Sequence, residues 1–229
     1  MEEVWSGQAK TGAGRGAVFD GTRTITYAQL DGRSNRFAKG LRSEGIGAQE
    51  RVAFLDKNGP EYFEAVFGTA KLNVVLAAVN WRLAPPEAAF VINDCQARLL
   101  VVGEDLVPML EAIRGELTEV TKVIVIGTSA TDETYEAFLA RQSTEDPRRD
   151  VTANDVALQF YSSGTTGHPK GVMLTNANLF ASVDANNEML GFNDASVNLV
   201  AMPTFHVAGG AGGIVGPDHR CPTVVRRAV

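Results

Sequence analysis

An α/β protein is what this sequence predicts: short strands and amphipathic helices alternating to build a sheet covered on both faces. Two observations carry that expectation. Compact apolar runs recur at 51–55, 74–79, 99–102, 123–126, 156–160 and 197–201, each of strand rather than helix length. Between them lie segments with apolar residues at helical spacing, opened or closed by Thr, Pro or Gly. No internal repeat or low-complexity tract interrupts the alternation.

In chain order, residues 1–24 are glycine-rich and are expected to cover the surface loosely. Thr26 and Gln29 stand at capping-box spacing ahead of Leu30, Phe37, Ala38 and Leu41 on one helical face, and Gly45 offers the stop. Residues 51–55 read as a strand, 60–72 as a helix and 74–79 as a buried strand. Pro85-Pro86 opens a helix ending near Cys95; a strand at 99–102, a helix at 105–114 and a strand at 123–126 follow. A short helix fits 132–140. The polar stretch 143–155, with mixed charges around Pro147, reads as a solvated connector between a first α/β subdomain (1–142) and the start of a second (156–229). Beyond it come strands at 156–160 and 172–174, a helix capped by Thr175 or Asn176 and running through Met189, and a strand at 197–201.

Composition excludes several classes. With 45% hydrophobic and 21% charged residues over 229 positions, the chain is of ordinary globular type. A net charge of -6 argues against a general binder of nucleic acid or anionic membrane, while leaving room for a local basic pocket. The start, Met1-Glu2-Glu3-Val4-Trp5, lacks the basic and apolar blocks of a signal peptide. The most apolar region, 65–79, is broken by Lys71 and Asn73 and is too short to span a bilayer. Cys95 and Cys221 lie far apart, which suggests a reducing compartment rather than a disulfide framework. A cytoplasmic location is expected, with peripheral membrane contact left open.

The most informative stretch is 161–171, Tyr-Ser-Ser-Gly-Thr-Thr-Gly-His-Pro-Lys-Gly, entered directly from the apolar run at 156–160. Gly164, Gly167 and Gly171 allow backbone angles and close approach that a side chain forbids. Successive N–H groups in such a turn can form an anion-binding concavity. Ser162, Ser163, Thr165 and Thr166 add hydroxyls, and Lys170 adds a point charge suited to phosphate. The order of residues matches neither the Walker A loop nor the Rossmann fingerprint. On composition alone, a Ser/Gly surface turn is the plain alternative to a phosphate cradle.

From Tyr161 through the following Val-Met-Leu-Thr-Asn-Ala-Asn-Leu, the stretch closely resembles the phosphate-binding signature of the AMP-forming, adenylate-forming enzymes. This superfamily includes acyl- and aryl-CoA ligases, luciferases and the adenylation domains of peptide synthetases. The resemblance extends to residues 24–30 and to Asn80-Trp81-Arg82-Leu83, a turn where Arg82 reads as a structural residue. It implies the N-terminal portion of that superfamily's large domain, with strands and helices alternating in layered sheets. It further implies that ATP, with Mg²⁺, activates a carboxylic acid, and that CoA then takes the acyl group as a thioester. Ser162, Ser163, Gly164, Thr165, Thr166, Gly167, Lys170 and Gly171 would bind the nucleotide's phosphates.

A second candidate is Pro203-Thr204-Phe205-His206-Val207-Ala208-Gly209. By itself His206 reads as a satisfied core or capping histidine. The stretch matches the family's P-x-F-H-x-x-G pattern, which implies a substrate pocket at Phe205, His206 and Gly209 and makes Lys170 and His206 the catalytic candidates. His168 falls where the family varies and receives no catalytic role. His206, His219 and Cys221 do not make a metal set, since no second Cys or His pair stands at zinc spacing.

Other family segments are expected but absent from this sequence: the Tyr-Gly-x-Thr-Glu stretch, the ribose-binding aspartate, the hinge and the small C-terminal domain. Residues 217–222 and Arg226-Arg227 depart from the pattern, as they would in a truncated or frame-shifted product. Three readings stay open: part of a fatty-acid–CoA ligase, a nucleotide-binding fragment without turnover, and an adenylation domain that loads a carrier protein.

Overall fold

The computed structural model describes residues 13–162, 167–193, 195–215 and 222–225. Most of the buried runs assemble into one seven-stranded sheet. Its parallel centre is β3 (Arg51–Leu55), β4 (Val75–Ala78), β5 (Ala97–Gly103) and β6 (Lys122–Ile126), to which β8 (Val156–Ser162) adds in parallel beside β4. The short β7 (Glu133–Thr134) flanks β6, and β9 (Lys170–Thr175) returns antiparallel along β8, giving the order β7-β6-β5-β3-β4-β8-β9. The sheet therefore runs across residue 156, where a second subdomain is expected to begin.

Parallel neighbours need crossovers, and helices supply them on both faces. Val52 and Phe54 of β3 face one core with α1 (Tyr27–Ser43), α2 (Pro60–Ala70) and α5 (Tyr135–Ala140), through Phe37, Phe63 and Phe138. Ala53 and Leu55 face the other, under α3 (Pro85–Asp94) and α4 (Val107–Ile113), where Ala88, Ile92, Leu110 and Ile113 pack. Successive strand residues pointing to opposite cores explain why these strands read as unbroken apolar runs.

Several sequence signals take the expected form. Thr26 caps α1 in a full capping box with Gln29, and the chain turns out at Gly45 with φ +79°. Thr175 does the same for α6 (Asn176–Leu190) with Asn178. The helix expected over 105–114 is α4 with a 3-10 turn at each end. The connector at 143–155 has no regular structure, and Lys39 and Arg42 of α1 tie it down through Glu145 and the Pro147 carbonyl.

One expectation is corrected. From Gly16 on, the glycine-rich start is not a loose cover: β1 (Gly16–Phe19) and β2 (Thr24–Thr26) are strands, and Ala17 and Val18 are buried. The departures expected at 217–221 and at Arg226-Arg227 lie outside the described residues. Thr223–Val225 forms β11, lying between β10 (Asn198–Val200) and β1 in a second, four-stranded sheet ordered β10-β11-β1-β2. Strand β1 is short, and of its two partners β2 is the hairpin neighbour while β11 lies at the far end of the chain. Cys221 and His219 lie outside the described residues.

Candidate functional site

Strand β8 ends where the glycine-hydroxyl turn begins, and β9 starts where it ends. The hairpin register sets Ser162 opposite Lys170 and Tyr161 opposite Gly171. A hydroxyl and an ammonium thus stand at the foot of one turn, both on exposed residues. Within it Gly167 adopts φ +106°, a conformation that only glycine takes without strain. Gly171 serves close packing, because a Cβ there would meet the Gln159 amide nitrogen at 2.6 Å. Ser163, Gly164, Thr165 and Thr166 lie outside the described residues.

Beside the turn, at the carboxyl ends of β4 and β8, is a cleft of about 370 Å³. Tyr161, Ser162 and Pro169 line one side; Asn80 and Leu83 follow β4; Phe205 and His206 close it. Ligand crevices of open α/β sheets lie at this edge, because successive connections leave it in different directions.

The Phe205–His206 segment is held from behind by Asn58, a buried residue just after β3. The Asn58 side-chain amide donates to the Met202 carbonyl (3.0 Å) and accepts from the Thr204 N–H (2.8 Å). Phe205 meets Trp81 edge-on at 6.4 Å, and the Arg82 guanidinium lies 4.7 Å from the Trp81 ring and 5.9 Å from Phe205. Asn80 accepts from the Arg82 N–H (2.9 Å), so the turn is self-braced. His206 itself is exposed and caps α7 (Val207–Gly210), its Nδ1 accepting from the Ala208 N–H at 3.3 Å. That bond leaves Nε2 as the nitrogen open to a ligand. A second short helix, α8 (Gly212–Val215), follows α7.

Gly209 does not line the cleft. It is buried behind it, where a Cβ would collide with the carbonyl oxygens of Pro203 and Met202. Its glycine lets α7 pack on the segment that bears Phe205. Tyr161 donates to Asp94 Oδ2 (2.6 Å) and accepts from the Gln159 amide (3.0 Å). Burial first, and then the bond to Asp94, push the Tyr161 hydroxyl well above its ordinary range, so it stays protonated. Nearby, burial pushes the Cys95 thiol up to about 12, which removes it as a nucleophile. Asn58 and Trp81 are the supports that the sequence does not reveal. Each acts on residues that are remote in the chain, so spacing gives no hint of them.

Residues 5–223 match the AMP-binding enzyme family, and the chain belongs to it. It is 37% identical over 198 residues to the fatty acid–[acyl-carrier-protein] ligase ScoC of Streptomyces coeruleorubidus, covering 84% of this chain and 37% of that protein. It is 35% identical to a 3-hydroxybenzoate–CoA/4-hydroxybenzoate–CoA ligase of Thauera aromatica over 76% of this chain and 34% of that one. Among solved structures, the anthranilate CoA ligase AuaEII in complex with anthranoyl-AMP superposes with a TM-score of 0.95 at 25% identity, over 99% of this chain and 45% of its own. The chain thus spans less than half the length of these proteins. Among the described residues, no helix is long and apolar enough to cross a membrane.

Proposed function

We propose that this chain supplies the phosphate turn and the acid pocket of an enzyme that joins a carboxylic acid to a thiol through an acyl-adenylate. One juxtaposition carries the reading: Ser162 and Pro169, near the two ends of the turn, line the same cleft as Phe205 and His206. A polyphosphate on the turn and a carboxylate beside His206 would then share one cleft, as attack at the α-phosphorus requires. In the first step a carboxylate oxygen bonds to the α-phosphorus of ATP and pyrophosphate leaves. In the second a thiolate sulfur attacks the acyl carbon and AMP leaves.

The roles follow from chemistry. The Ser162 hydroxyl, the turn at 163–167 and above all the Lys170 ammonium hold the β- and γ-phosphates and offset their charge. Phe205 walls the acyl group, and His206 turns Nε2 toward the carboxylate. Mg²⁺ would arrive with the nucleotide: among the described residues no three His, Cys, Asp or Glu side chains gather to hold a metal. The acid we favour is a medium- or long-chain fatty acid, with CoA as acceptor. The similarity to ScoC, which acts on a fatty acid and an acyl-carrier protein, supports a carrier-protein acceptor as the second reading. The short span relative to these ligases supports a third, nucleotide binding without turnover.

Carboxylate-dependent ATP–pyrophosphate exchange on residues 1–229, scanned over fatty and benzoic acids beside Lys170→Ala, separates the first two readings, which share adenylation, from the third. Exchange with fatty acids that drops at least tenfold in the variant is the expected mark of adenylation. Binding of MgATP that Lys170→Ala weakens, without exchange, would leave only the third reading. MgATP binding equal in both proteins would overturn the role of Lys170.

A further inference from the structure

The two ends of the turn are fastened to the same helix. On the incoming side the Tyr161 hydroxyl donates to Asp94 at 2.6 Å. On the outgoing side the His168 imidazole stacks on the Phe90 ring, with centroids 4.9 Å apart and planes 25° from parallel. Phe90 and Asp94 both belong to α3 and are four residues apart, hence one turn apart on one face. No sequence signal marks either residue, and His168 has no role in the reading of the turn so far.

We infer that α3 is the dock of the turn, with Phe90 and Asp94 as positioning residues that hold Lys170 and Ser162 for their ligand. The last ladder pair described for the hairpin is Ser162–Lys170. His168 is two residues past that pair, joined to Lys170 only through Pro169, whose ring fixes φ. Pinning the imidazole therefore fixes the backbone direction on which the lysine leaves the turn. An aromatic stack does this with few rotatable bonds. The Tyr161–Asp94 bond performs the same task on the other strand. Its carboxylate acceptor makes it a charge-assisted bond, stronger than a neutral pair. Ala88, Ala89 and Ile92 of α3 are buried in one core with Ala53 and Leu55 of β3 and Leu100 of β5, so the dock is anchored to the sheet. Ordering the turn before the ligand arrives removes an entropic cost from binding.

The effect on nucleotide affinity rests on the proposed function; the docking itself does not. The test therefore has two arms on the full 229-residue chain. In the first, amide hydrogen exchange of the segment 161–170 is followed without ligand in wild type, Phe90→Ala, His168→Ala, His168→Phe and Tyr161→Phe. Phe90→Ala, His168→Ala and Tyr161→Phe are expected to raise exchange there at least fivefold while β3 to β6 keep their protection. His168→Phe, which restores an aromatic face, is expected to return to within twofold of wild type. Unchanged exchange in the alanine variants, or no rescue by His168→Phe, would overturn the inference. In the second arm MgATP is the probe, and His168→Ala should weaken it three- to tenfold, again with rescue by His168→Phe. Altered exchange with no MgATP binding by the wild type would sink the phosphate reading and leave the dock standing. Wild-type affinity in His168→Ala would deny the dock any part in binding.

Discussion

Gly209 shows how one absent side chain sets the geometry of the acid side of the cleft. Its sequence context pairs it with Phe205 and His206 as pocket residues, yet it stands behind them against the Met202 and Pro203 carbonyls, where a Cβ would come within 2.5 Å of the Met202 oxygen. Backbone atoms cannot swing aside as a flexible side chain can. Gly209→Ala is therefore expected to destabilise the protein by about 1–3 kcal/mol, the usual range for overpacking. The same shift should push Phe205 and His206 out of place. Urea unfolding monitored by circular dichroism checks the first effect. A variant as stable as wild type would mean that α7 relaxes away at no cost. Gly167 differs in kind: its requirement is φ +106°, and among the described residues no atom stands near the place of a Cβ.

At the scale of the element, what the sequence reveals depends on how far away the partner is. The box that starts α1 is written in Thr26 and Gln29, three residues apart, and the box that starts α6 in Thr175 and Asn178. Both are local and both could be read. The hairpin β8–β9 and the motif at 203–209 were legible for a similar reason, since short, contiguous patterns carry them. Strand β1 was not: its parallel partner is β11, about 200 residues away by number, and Gly16-Ala-Val-Phe19 alone looks like any glycine-rich start. The turn from β1 to β2 does have a local signature in Asp20, whose carboxylate accepts from the Thr22 and Arg23 N–H groups, both at 2.9 Å, and from Arg23 Nε at 3.0 Å. Partial burial pushes this carboxyl up, but the hydrogen bonds from Arg23 and Thr22 outweigh it and hold the pKa well below the usual carboxylate range. A lowered folded pKa stabilises the fold above the unfolded value of about 4, and that stability fades as pH falls toward the folded value. Asp20→Asn should thus cost about 1 kcal/mol at pH 7, discounted because Arg23 is half exposed, and progressively less as pH falls below about 4. Urea titrations across that span measure it; a difference that grows on acidification would contradict the assignment.

At the scale of the molecule, the two sheets divide the cleft between them. The phosphate side belongs to the seven-stranded sheet through β8 and β9, while the acid side follows β10 of the four-stranded sheet. Strand β11 holds that second sheet together, because it alone joins β10 to β1: Val225 pairs with Val200, and Thr223 with both Val18 and Asn198. Val225 is 1% exposed, so Val225→Asp places a carboxylate where no water reaches it, at a cost of about 3 kcal/mol. The loss should be confined. Exchange protection is expected to fall in β1, β2 and β10 and to persist in β3, β5 and β6, whose pairs do not involve the small sheet. The ligand consequence follows from the same division. MgATP affinity should stay within threefold of wild type, because Ser162, Lys170 and their dock on α3 are untouched. Carboxylate-dependent exchange of pyrophosphate, where the wild type supports it, should fall tenfold or more as Phe205 and His206 lose their anchor from β10. Peptide-resolved hydrogen exchange together with a MgATP titration decides the matter. Protection lost evenly across both sheets would mean that the two halves of the cleft fold as one cooperative unit.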